Sequence, residues 1–178
     1  MCKLEDITEG CRKKDRKAEE QLYRMFSARM FALCIRYSRD RTEAEDNLQD
    51  GFIRVFEAIE QYTGKGSLEG WMRRIFINTA LEKYRKNRTL QLVEELPDTE
   101  FSDLEEKTDI PGEVLSGYIE ELPEKYKLVF NLYVGEEMQH KEIAAMMGIS
   151  EGTSKSNLAR AREILKKKVT EYLKRHEQ

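Results

Sequence analysis

Apolar residues recur at intervals of three and four positions along much of the first ninety residues. Between about residues 15 and 38, the recurring apolar positions are Ala18, Leu22, Phe26, Met30, Leu33 and Tyr37. This spacing is typical of one face of an α-helix, so it predicts a core helix over these residues. The sequence Thr42-Glu43-Ala44-Glu45 then matches a capping box and predicts a second helix that begins there and runs to about Gln61.

The predicted second helix has one apolar face and one charged face. At about 100° per residue, the face that we expect to pack inward consists of Ala44, Leu48, Phe52, Val55, Ile59 and Tyr62. The opposite face carries Glu43, Asp46, Asp50, Arg54 and Glu57, with the large apolar Ile53 at its edge. An apolar side chain among charges favours a docking surface for a partner. The alternative is an ordinary solvated face on which Asp50 and Arg54 pair at i, i+4.

A glycine-containing loop at residues 62–67 precedes a third predicted helix, which is capped by Ser67 and runs from about Leu68 to Lys86. The apolar residues of this helix extend most of the way round it and alternate with arginines and lysines. Aromatic rings beside cations can stack on unpaired bases while the cations bind phosphates. The alternative is a helix buried on two sides, with the Lys and Arg stems lying along apolar surface.

The C-terminal third contains a helix-turn-helix pattern. Leu122-Pro123-Glu124 opens a predicted helix that ends near Gly135, with the inward residues Tyr126, Val129, Phe130 and Tyr133. Within residues 140–162, we expect Ile143 and Ala144 to allow a close contact between two helices and Gly148 to form the turn between them. Ile149 is expected to fill the corner of the turn, Ser150 to cap the second helix and Leu158 to anchor it in the core.

The second helix of such a motif lies in the major groove with its N-terminal residues at the base edges. The candidates for base or phosphate contact are Lys155, Ser156, Asn157, Ala159 and Arg160, and those for the flanking backbone are Arg162, Lys166 and Lys167. Ser154 stands where a buried Val is usual, and we expect its hydroxyl to bond back to the preceding turn. The alternative is a helix pair that contacts only protein.

Charge is segregated along the chain, although the net charge is only −3. Residues 89–112 contain eight acids and one lysine, whereas residues 73–88 and 155–175 are strongly basic. Because the acidic stretch also has two prolines and no sustained period, it is predicted to be a linker. With few glycines and prolines for turns, the chain is expected to be all-α, with helical domains at 1–90 and 113–178 joined by an acidic linker at 91–112.

Several classes of protein are disfavoured by what the sequence lacks. No apolar run approaches the ~18 residues of a membrane span, and the acidic N-terminus lacks a signal-peptide core, so we expect a cytoplasmic protein without membrane insertion. The three cysteines and two histidines show no metal-ligand spacing, and no nucleophile with its base or phosphate-binding loop is evident. We therefore expect no cofactor, no metal, no small-molecule substrate and no enzymatic activity. Cys34 in an apolar run, and Cys2 and Cys11 at a mobile end, are expected to be redox-inert.

Three blocks of the sequence, taken in order, resemble the extracytoplasmic-function (ECF) group of sigma-70-type RNA polymerase sigma factors. The blocks are Ala44-Glu45-Asp46-Asn47-Leu48-Gln49-Asp50-Gly51-Phe52-Ile53-Arg54-Val55-Phe56, Trp71-Met72-Arg73-Arg74-Ile75-Phe76-Ile77-Asn78 with Arg85-Lys86, and Gly152 to Arg162. Glu82 stands where many members carry Asp, which leaves the carboxylate in place. The resemblance implies a region 2-like N-terminal bundle and a region 4-like C-terminal helix-turn-helix.

The resemblance also implies a partner for each surface. Binding of the bacterial RNA polymerase core is implied for Asp46, Gln49, Asp50, Ile53 and Arg54. Recognition and melting of the −10 promoter element are implied for Lys65, Trp71, Arg74, Asn78, Arg85 and Lys86. Contacts to the −35 element are implied for Thr153, Lys155, Ser156, Asn157, Ala159, Arg160 and Arg162. An anti-sigma factor is a further expected partner. The competing hypotheses are a conventional two-domain helix-turn-helix regulator and a helical adaptor that does not bind DNA.

Overall fold

Eight α-helices follow one another in the computed structural model, which describes residues 4–89 and 110–176. In the first range they are α1 (Leu4–Arg12), α2 (Arg16–Tyr37), α3 (Arg41–Ala58), which continues as a 3₁₀ turn (Ile59–Gln61), and α4 (Leu68–Thr89). In the second range they are α5 (Gly112–Glu120), α6 (Glu124–Phe130), which continues as a π-helical turn (Asn131–Gly135), α7 (His140–Met147) and α8 (Glu151–His176). Neither range contains a strand, so the all-α prediction is confirmed.

The chain divides into two compact units, Met1–Lys86 and Asn87–Gln178. Most of the predicted acidic linker, residues 91–109, lies outside the described residues, and α5 begins at Gly112, where that linker was predicted to end. None of the described helices is both long enough and apolar enough to cross a membrane.

In the first unit, α2 supplies the predicted core stripe. The side chains of Leu22, Phe26, Met30 and Leu33 are all buried. Asp15 caps this helix, because its carboxylate accepts a hydrogen bond of 2.9 Å from the Lys17 backbone N–H. The stripe was predictable because its six apolar positions keep helical spacing over more than five turns.

Helix α1 was not predicted. Its apolar residues Ile7 and Cys11 are buried against the rest of the unit, and a Cβ on Gly10 would lie only 2.5 Å from the Cβ of Ala18 on α2. The expectation that Cys11 lies at a mobile end was therefore wrong, since only 1% of this residue is exposed. A helix of nine residues with so few apolar positions gives too weak a periodic signal to be recognised in the sequence.

Helix α3 begins two residues earlier than its capping pattern indicated. Asp40, not Thr42, is the N-cap, and its carboxylate accepts from the Glu43 N–H at 2.9 Å. Glu43 in turn accepts from the Arg39 N–H at 2.6 Å. Asp and Thr are both good caps, but Asp40 also places a full negative charge at the positive end of the helix dipole.

The second unit packs α5, α6 and α7 against the long helix α8. One cluster in its core joins Leu122, Ala161 and Leu165 to the half-buried Tyr118, Ile119, Tyr126, Phe130 and Ile164. The inward face predicted for α6 is confirmed at Val129, which is fully buried, but the prediction omitted Leu128 and Leu132, which are also fully buried. Tyr126 and Phe130 are half-buried and pack into the cluster, as predicted, where they also meet residues of α5, a helix that the sequence pattern had not indicated.

The turn between α7 and α8 has the predicted form. Gly148 adopts a left-handed conformation with φ of 67°, which glycine adopts without steric cost. The hydroxyl of Ser150 accepts a hydrogen bond of 2.9 Å from the Thr153 N–H and so caps α8. Ile143 and Leu158 are buried, as expected for the helix contact and the anchor.

Candidate nucleic-acid interface

The five predicted partner-binding residues on α3 lie on one face of the helix. Positions 49, 50, 53 and 54 lie three, four, seven and eight residues after position 46, which places the five side chains on one face of the helix. Asp46, Gln49 and Ile53 are exposed, and Ile53 leaves 55% of its surface in solvent. Asp50 and Arg54 are half-buried. The outermost part of this face therefore has an apolar centre and a polar rim.

The two half-buried charges of this face bind α4. Lys83 Nζ lies 2.7 Å from the Asp50 carboxylate, and the Arg54 guanidinium donates to Glu82 at 2.8 Å. The hydrogen bond from Arg54 lowers the pKa of Glu82, although burial acts in the opposite direction. The alternative of an Asp50–Arg54 pair along α3 is thus replaced by two pairs that connect α3 to α4. Both pairs depend on how the helices pack, so sequence spacing could not reveal them.

The loop 62–67 between α3 and α4 is anchored at both ends. The Tyr62 ring lies against the Trp71 ring with centroids 5.5 Å apart, and its hydroxyl donates to the Gly66 carbonyl at 2.8 Å. Ser67 Oγ accepts from the Gly70 N–H at 3.0 Å and caps α4, as predicted. Gly64 and Gly66 have φ of 79° and 78°, and the exposed Lys65 lies between them. The loop therefore presents a cation at the tip of a constrained turn.

Helix α4 buries one side and exposes another. Met72, Phe76, Ile77, Ala80 and Leu81 are buried in the first unit. On the opposite side, Arg74, Asn78 and Arg85 are exposed at helical spacing from one another, with the half-buried Trp71 above them and the exposed Lys86 beside them. The residues predicted to bind the −10 element thus lie along one side of α4, from Trp71 next to the loop with Lys65 to Arg85 and Lys86 near the other end of the helix.

On α8, five of the seven predicted DNA-binding residues share the solvent side. Lys155 and Arg162 are exposed, and Ser156, Ala159 and Arg160 are half-buried on the same side. Thr153 is half-buried at its edge. Asn157 is not brought together with them, because it lies on the inner side of α8 with only 8% of its surface exposed. Successive residues of an α-helix are rotated by about 100° around its axis, and this rotation places residue 157 on the side of the core residues 154, 158 and 161.

Two of the cations on α8 are paired with acids of the same helix. Lys155 Nζ lies 2.9 Å from the Glu151 carboxylate, and Arg160 lies 2.9 Å from that of Glu163. These side chains are 39–60% exposed, so each pair contributes little to stability and can exchange one partner for a phosphate. Glu151 nevertheless places a negative charge at the end of α8 where a major-groove helix meets DNA.

Ser154 is completely buried, and its hydroxyl lies 2.9 Å from Nδ1 of His140, the first residue of α7. The expectation that this hydroxyl bonds back to the preceding turn of α8 was wrong, because the packing of α7 provides a side-chain partner. Tyr133 stacks on the His140 ring, with centroids 4.7 Å apart and planes at 24°, and Arg162 lies 5.7 Å from the Tyr133 centroid. Burial, followed by the positive charges of Lys155 and Arg162, lowers the pKa of His140.

Sequence reasoning missed this cluster of His140, Tyr133 and Ser154. A signal was present, because a polar residue at a position expected to be buried needs a hydrogen-bond partner. His140 is one of only two histidines in the chain and begins the helix that packs on α8.

The described residues offer no centre for a metal or for thiol chemistry. Within residues 4–89 and 110–176, no group of His, Cys, Asp and Glu side chains is arranged to hold a metal ion. Burial raises the pKa of Cys11 to about 11 and that of Cys34 to about 12, which disfavours the reactive thiolate. Cys2 lies outside the described residues.

Comparison with known proteins relates both units to one family. The family model for sigma-70 region 2 matches residues 22–89, and the model for sigma-70 region 4 matches residues 113–165. The ECF RNA polymerase sigma factor SigM of Bacillus subtilis is 30% identical over 152 residues, which are 83% of this chain and 92% of that protein. The ECF RNA polymerase sigma factor SigE of Mycolicibacterium smegmatis is 28% identical over 88% of this chain, which spans 62% of the length of that protein.

A solved structure shows the same fold. The sigma factor RpoE from Bartonella quintana, crystallised in complex with the anti-sigma factor NepR, has a TM-score of 0.50 and 19% sequence identity. The similarity covers 85% of this chain and 96% of that one. The two matched regions, the order in which they occur and the near full-length similarity to SigM lead to one assignment: this chain belongs to the ECF RNA polymerase sigma factors.

Proposed function

We propose that this chain binds the bacterial RNA polymerase core, recognises the −10 and −35 elements of promoter DNA, and assists promoter melting at the start of transcription. The observation that carries the proposal is that three exposed faces, two in the first unit on α3 and on α4 with its loop, and one in the second unit on α8, each have the chemistry that the proposed partner requires. The boundaries that we propose for the two domains and the linker are 1–90, 113–178 and 91–112.

The α3 face is proposed to dock on the polymerase core. Ile53 is the large apolar side chain at its centre, and covering its exposed surface is favourable. Asp46 and Gln49 at the rim can fix the register with charges and hydrogen-bond donors of the core. Asp50 and Arg54 contribute indirectly, since their pairs with Lys83 and Glu82 connect α3 to α4.

The loop 62–67 and the outer side of α4 are proposed to bind the unpaired strand of the −10 element. Lys65, Arg74 and Arg85 can neutralise phosphates, and Asn78 offers both a donor and an acceptor to a base edge. An aromatic surface is available at the half-buried pair of Tyr62 and Trp71. Stacking of roughly 1–3 kcal/mol per base can offset the few kcal/mol needed to unstack it.

Helix α8 is proposed to read the −35 element as duplex DNA. Lys155, Ser156, Ala159 and Arg160 lie on the side that would enter the major groove, and Arg162 extends that side toward the backbone. Asn157 is left out of this set because it is buried, although its sequence position had made it a candidate.

Each half binds DNA weakly by itself in this proposal. Seating both halves on one polymerase makes the second contact intramolecular, so affinity and specificity require both promoter elements. The chain needs no catalytic group for this role, and we propose that it has no enzymatic activity of its own and works in the cytoplasm, where an anti-sigma factor restrains it.

The proposal is tested by a gel-shift assay on a promoter duplex, with and without purified core, together with transcription in vitro. We expect little binding by the isolated chain and specific initiation when core is added. Tight binding of the duplex without core would instead identify a conventional helix-turn-helix regulator. No interaction with DNA in either condition would favour a helical adaptor.

The α3 face is tested with Ile53→Asp, for which Met25→Asp is the matched control. Both residues are large, apolar and about half exposed in the first unit, but Met25 is on α2. We expect the Ile53 variant to lose at least tenfold in core affinity and the Met25 variant to bind normally. Asp46→Arg is a better charge reversal than Asp50→Arg, because the latter would also break the pair with Lys83.

The α8 face is tested with Arg160→Ala on two promoters that differ only in the −35 element. We expect the variant to lose activity on the promoter with both elements and to match the unchanged protein on the promoter that lacks a −35 match. Equal losses on both promoters would contradict the assignment. Lys174→Ala, near the distal end of the same helix, is the matched control.

A further inference from the structure

Helix α1 lies outside the segment that the sigma-70 region 2 model matches, yet it is packed firmly into the first unit. Ile7, Thr8 and Cys11 are buried, and the close approach of Gly10 to Ala18 leaves no room for a side chain. The helix packs against α2 and also contacts the 3₁₀ turn that leads into the loop 62–67. Its last residue, Arg12, is therefore held on a fixed element next to that loop.

Arg12 makes two polar contacts that differ in their consequences. One guanidinium nitrogen donates to the Tyr62 carbonyl at 2.6 Å, and the other donates to Glu9 of the same helix at 3.1 Å. The pair with Glu9 orients the guanidinium, and the bond to Tyr62 joins residues fifty positions apart in the sequence. A cationic donor to a carbonyl makes a stronger hydrogen bond than a neutral one.

Tyr62 passes this constraint to the rest of the loop. Its ring lies against Trp71 on α4, and its hydroxyl donates to the Gly66 carbonyl on the far side of the turn. Between these points, Gly64 and Gly66 adopt left-handed conformations and have no neighbours within 4 Å of where a Cβ would lie. The tip of the loop is thus surrounded by open space, and its conformation depends on the contacts of Tyr62.

We infer that Arg12 is a positioning residue for promoter opening, which acts by holding the loop 62–67 in its binding conformation through Tyr62. The inference rests on the proposed role of this loop at the −10 element. A loop that must be ordered when the unpaired base arrives binds it more weakly, because the entropy of ordering is then subtracted from the binding free energy. Arg12 does not touch DNA in this mechanism.

The test compares full-length variants on polymerase core. Arg12→Ala removes the bond to Tyr62, and Arg12→Lys keeps a cationic donor. Lys13→Ala is the matched control, since Lys13 is a neighbouring cation that also pairs with Glu9, at 3.4 Å. Tyr62→Phe breaks the link at its other end, because it removes the bond to Gly66 and keeps the aromatic ring. Core affinity and the rate of open-complex formation are measured on a duplex promoter and on the same promoter with an abasic site at the captured base.

We expect Arg12→Ala to slow open-complex formation about tenfold, which corresponds to one charge-assisted hydrogen bond, with core affinity within twofold of the unchanged protein. Arg12→Lys should recover part of the rate, Tyr62→Phe should slow opening about threefold, and Lys13→Ala should match the unchanged protein. The effect of Arg12→Ala should disappear on the abasic promoter, whereas general damage to the fold would slow opening on both templates.

Several results would overturn the inference. Arg12→Ala could open promoters at the normal rate, or it could lose core affinity in the same proportion as opening. If Arg12→Ala does not fold, normal opening by both Arg12→Lys and Tyr62→Phe would be decisive against it. Lys65→Ala distinguishes a failure of the role inferred for Arg12 from a failure of the role proposed for the loop 62–67. If Lys65→Ala slows promoter opening while Arg12→Ala does not, only the positioning role of Arg12 is wrong. If Lys65→Ala and Trp71→Ala both open promoters at the normal rate, the proposed role of the loop is wrong as well.

Discussion

Gly51 of α3 lies directly against the aromatic ring of Phe76 on α4. A Cβ added at Gly51 would be 2.2, 2.4 and 2.8 Å from three atoms of the Phe76 ring. Carbon atoms prefer separations of about 3.5–4.0 Å, so the ring would have to move by more than 1 Å. Phe76 is 1% exposed and meets Phe52 edge to face at 5.2 Å, so its movement is restricted by the surrounding core.

The substitution Gly51→Ala sets two effects against each other. Alanine favours the helix over glycine by about 1 kcal/mol, whereas overpacking a rigid core costs about 1–3 kcal/mol and sometimes more. Because three ring atoms are affected and the ring is confined, we expect overpacking to be the larger effect. The free energy of unfolding should fall by about 1–2 kcal/mol, and the Tm of the first unit by roughly 5–15 °C.

Urea unfolding followed by tryptophan fluorescence measures this change directly. Trp71 is the single tryptophan of the chain and lies in the first unit, so the signal reports that unit. Gly117→Ala in α5 is the matched control, since no atom lies within 4 Å of its added Cβ. Far-UV circular dichroism should show that this variant is stabilised by up to about 1 kcal/mol. Equal or greater stability of Gly51→Ala would refute the reasoning, and partial recovery on adding Phe76→Leu would support it.

Other predictions follow from the pairs on the second unit and on α4. Ser154→Ala should cost about 1–2 kcal/mol in urea unfolding, because Nδ1 of the half-buried His140 loses the hydroxyl with which it makes a hydrogen bond, whereas Ser156→Ala should cost less than about half as much. Because the pKa of His140 is lowered in the folded chain, the unfolded chain binds its proton first. Stability should therefore fall as pH drops below the ordinary value of 6.5, and this slope should be weaker in His140→Gln, as urea titrations between pH 5 and 8 would show. Glu151→Gln should raise the affinity of the polymerase complex for a −35 duplex severalfold, because it releases Lys155 and removes a negative charge near the phosphates, and an unchanged affinity in a filter-binding assay would contradict this. Glu82→Gln should lower stability by less than about 1 kcal/mol, since the pair with Arg54 is over a third exposed, and a larger loss in thermal unfolding would show that the pair is more important than its exposure indicates.

Much of the helical framework could be predicted from local patterns. The apolar stripe of α2, the capping serines of α4 and α8, and the glycine between α7 and α8 all have local causes, and the structure confirms each of them. The outward position of Ile53 followed from helical geometry alone. The short helices α1 and α5 escaped prediction, since their stability depends on packing against the rest of their units more than on their own periodicity.

The amino-acid sequence by itself determined which residues form the long helices, which of their faces are charged, and which family the three motifs resemble. Only the tertiary structure decided which polar groups pair across helices. Lys83 with Asp50, Arg54 with Glu82, His140 with Ser154, and Arg12 with the Tyr62 carbonyl join residues that are 14 to 50 positions apart. The physical reason is that periodicity depends on neighbours along one helix, whereas a hydrogen bond between helices depends on their packing angle and register to within a fraction of an ångström.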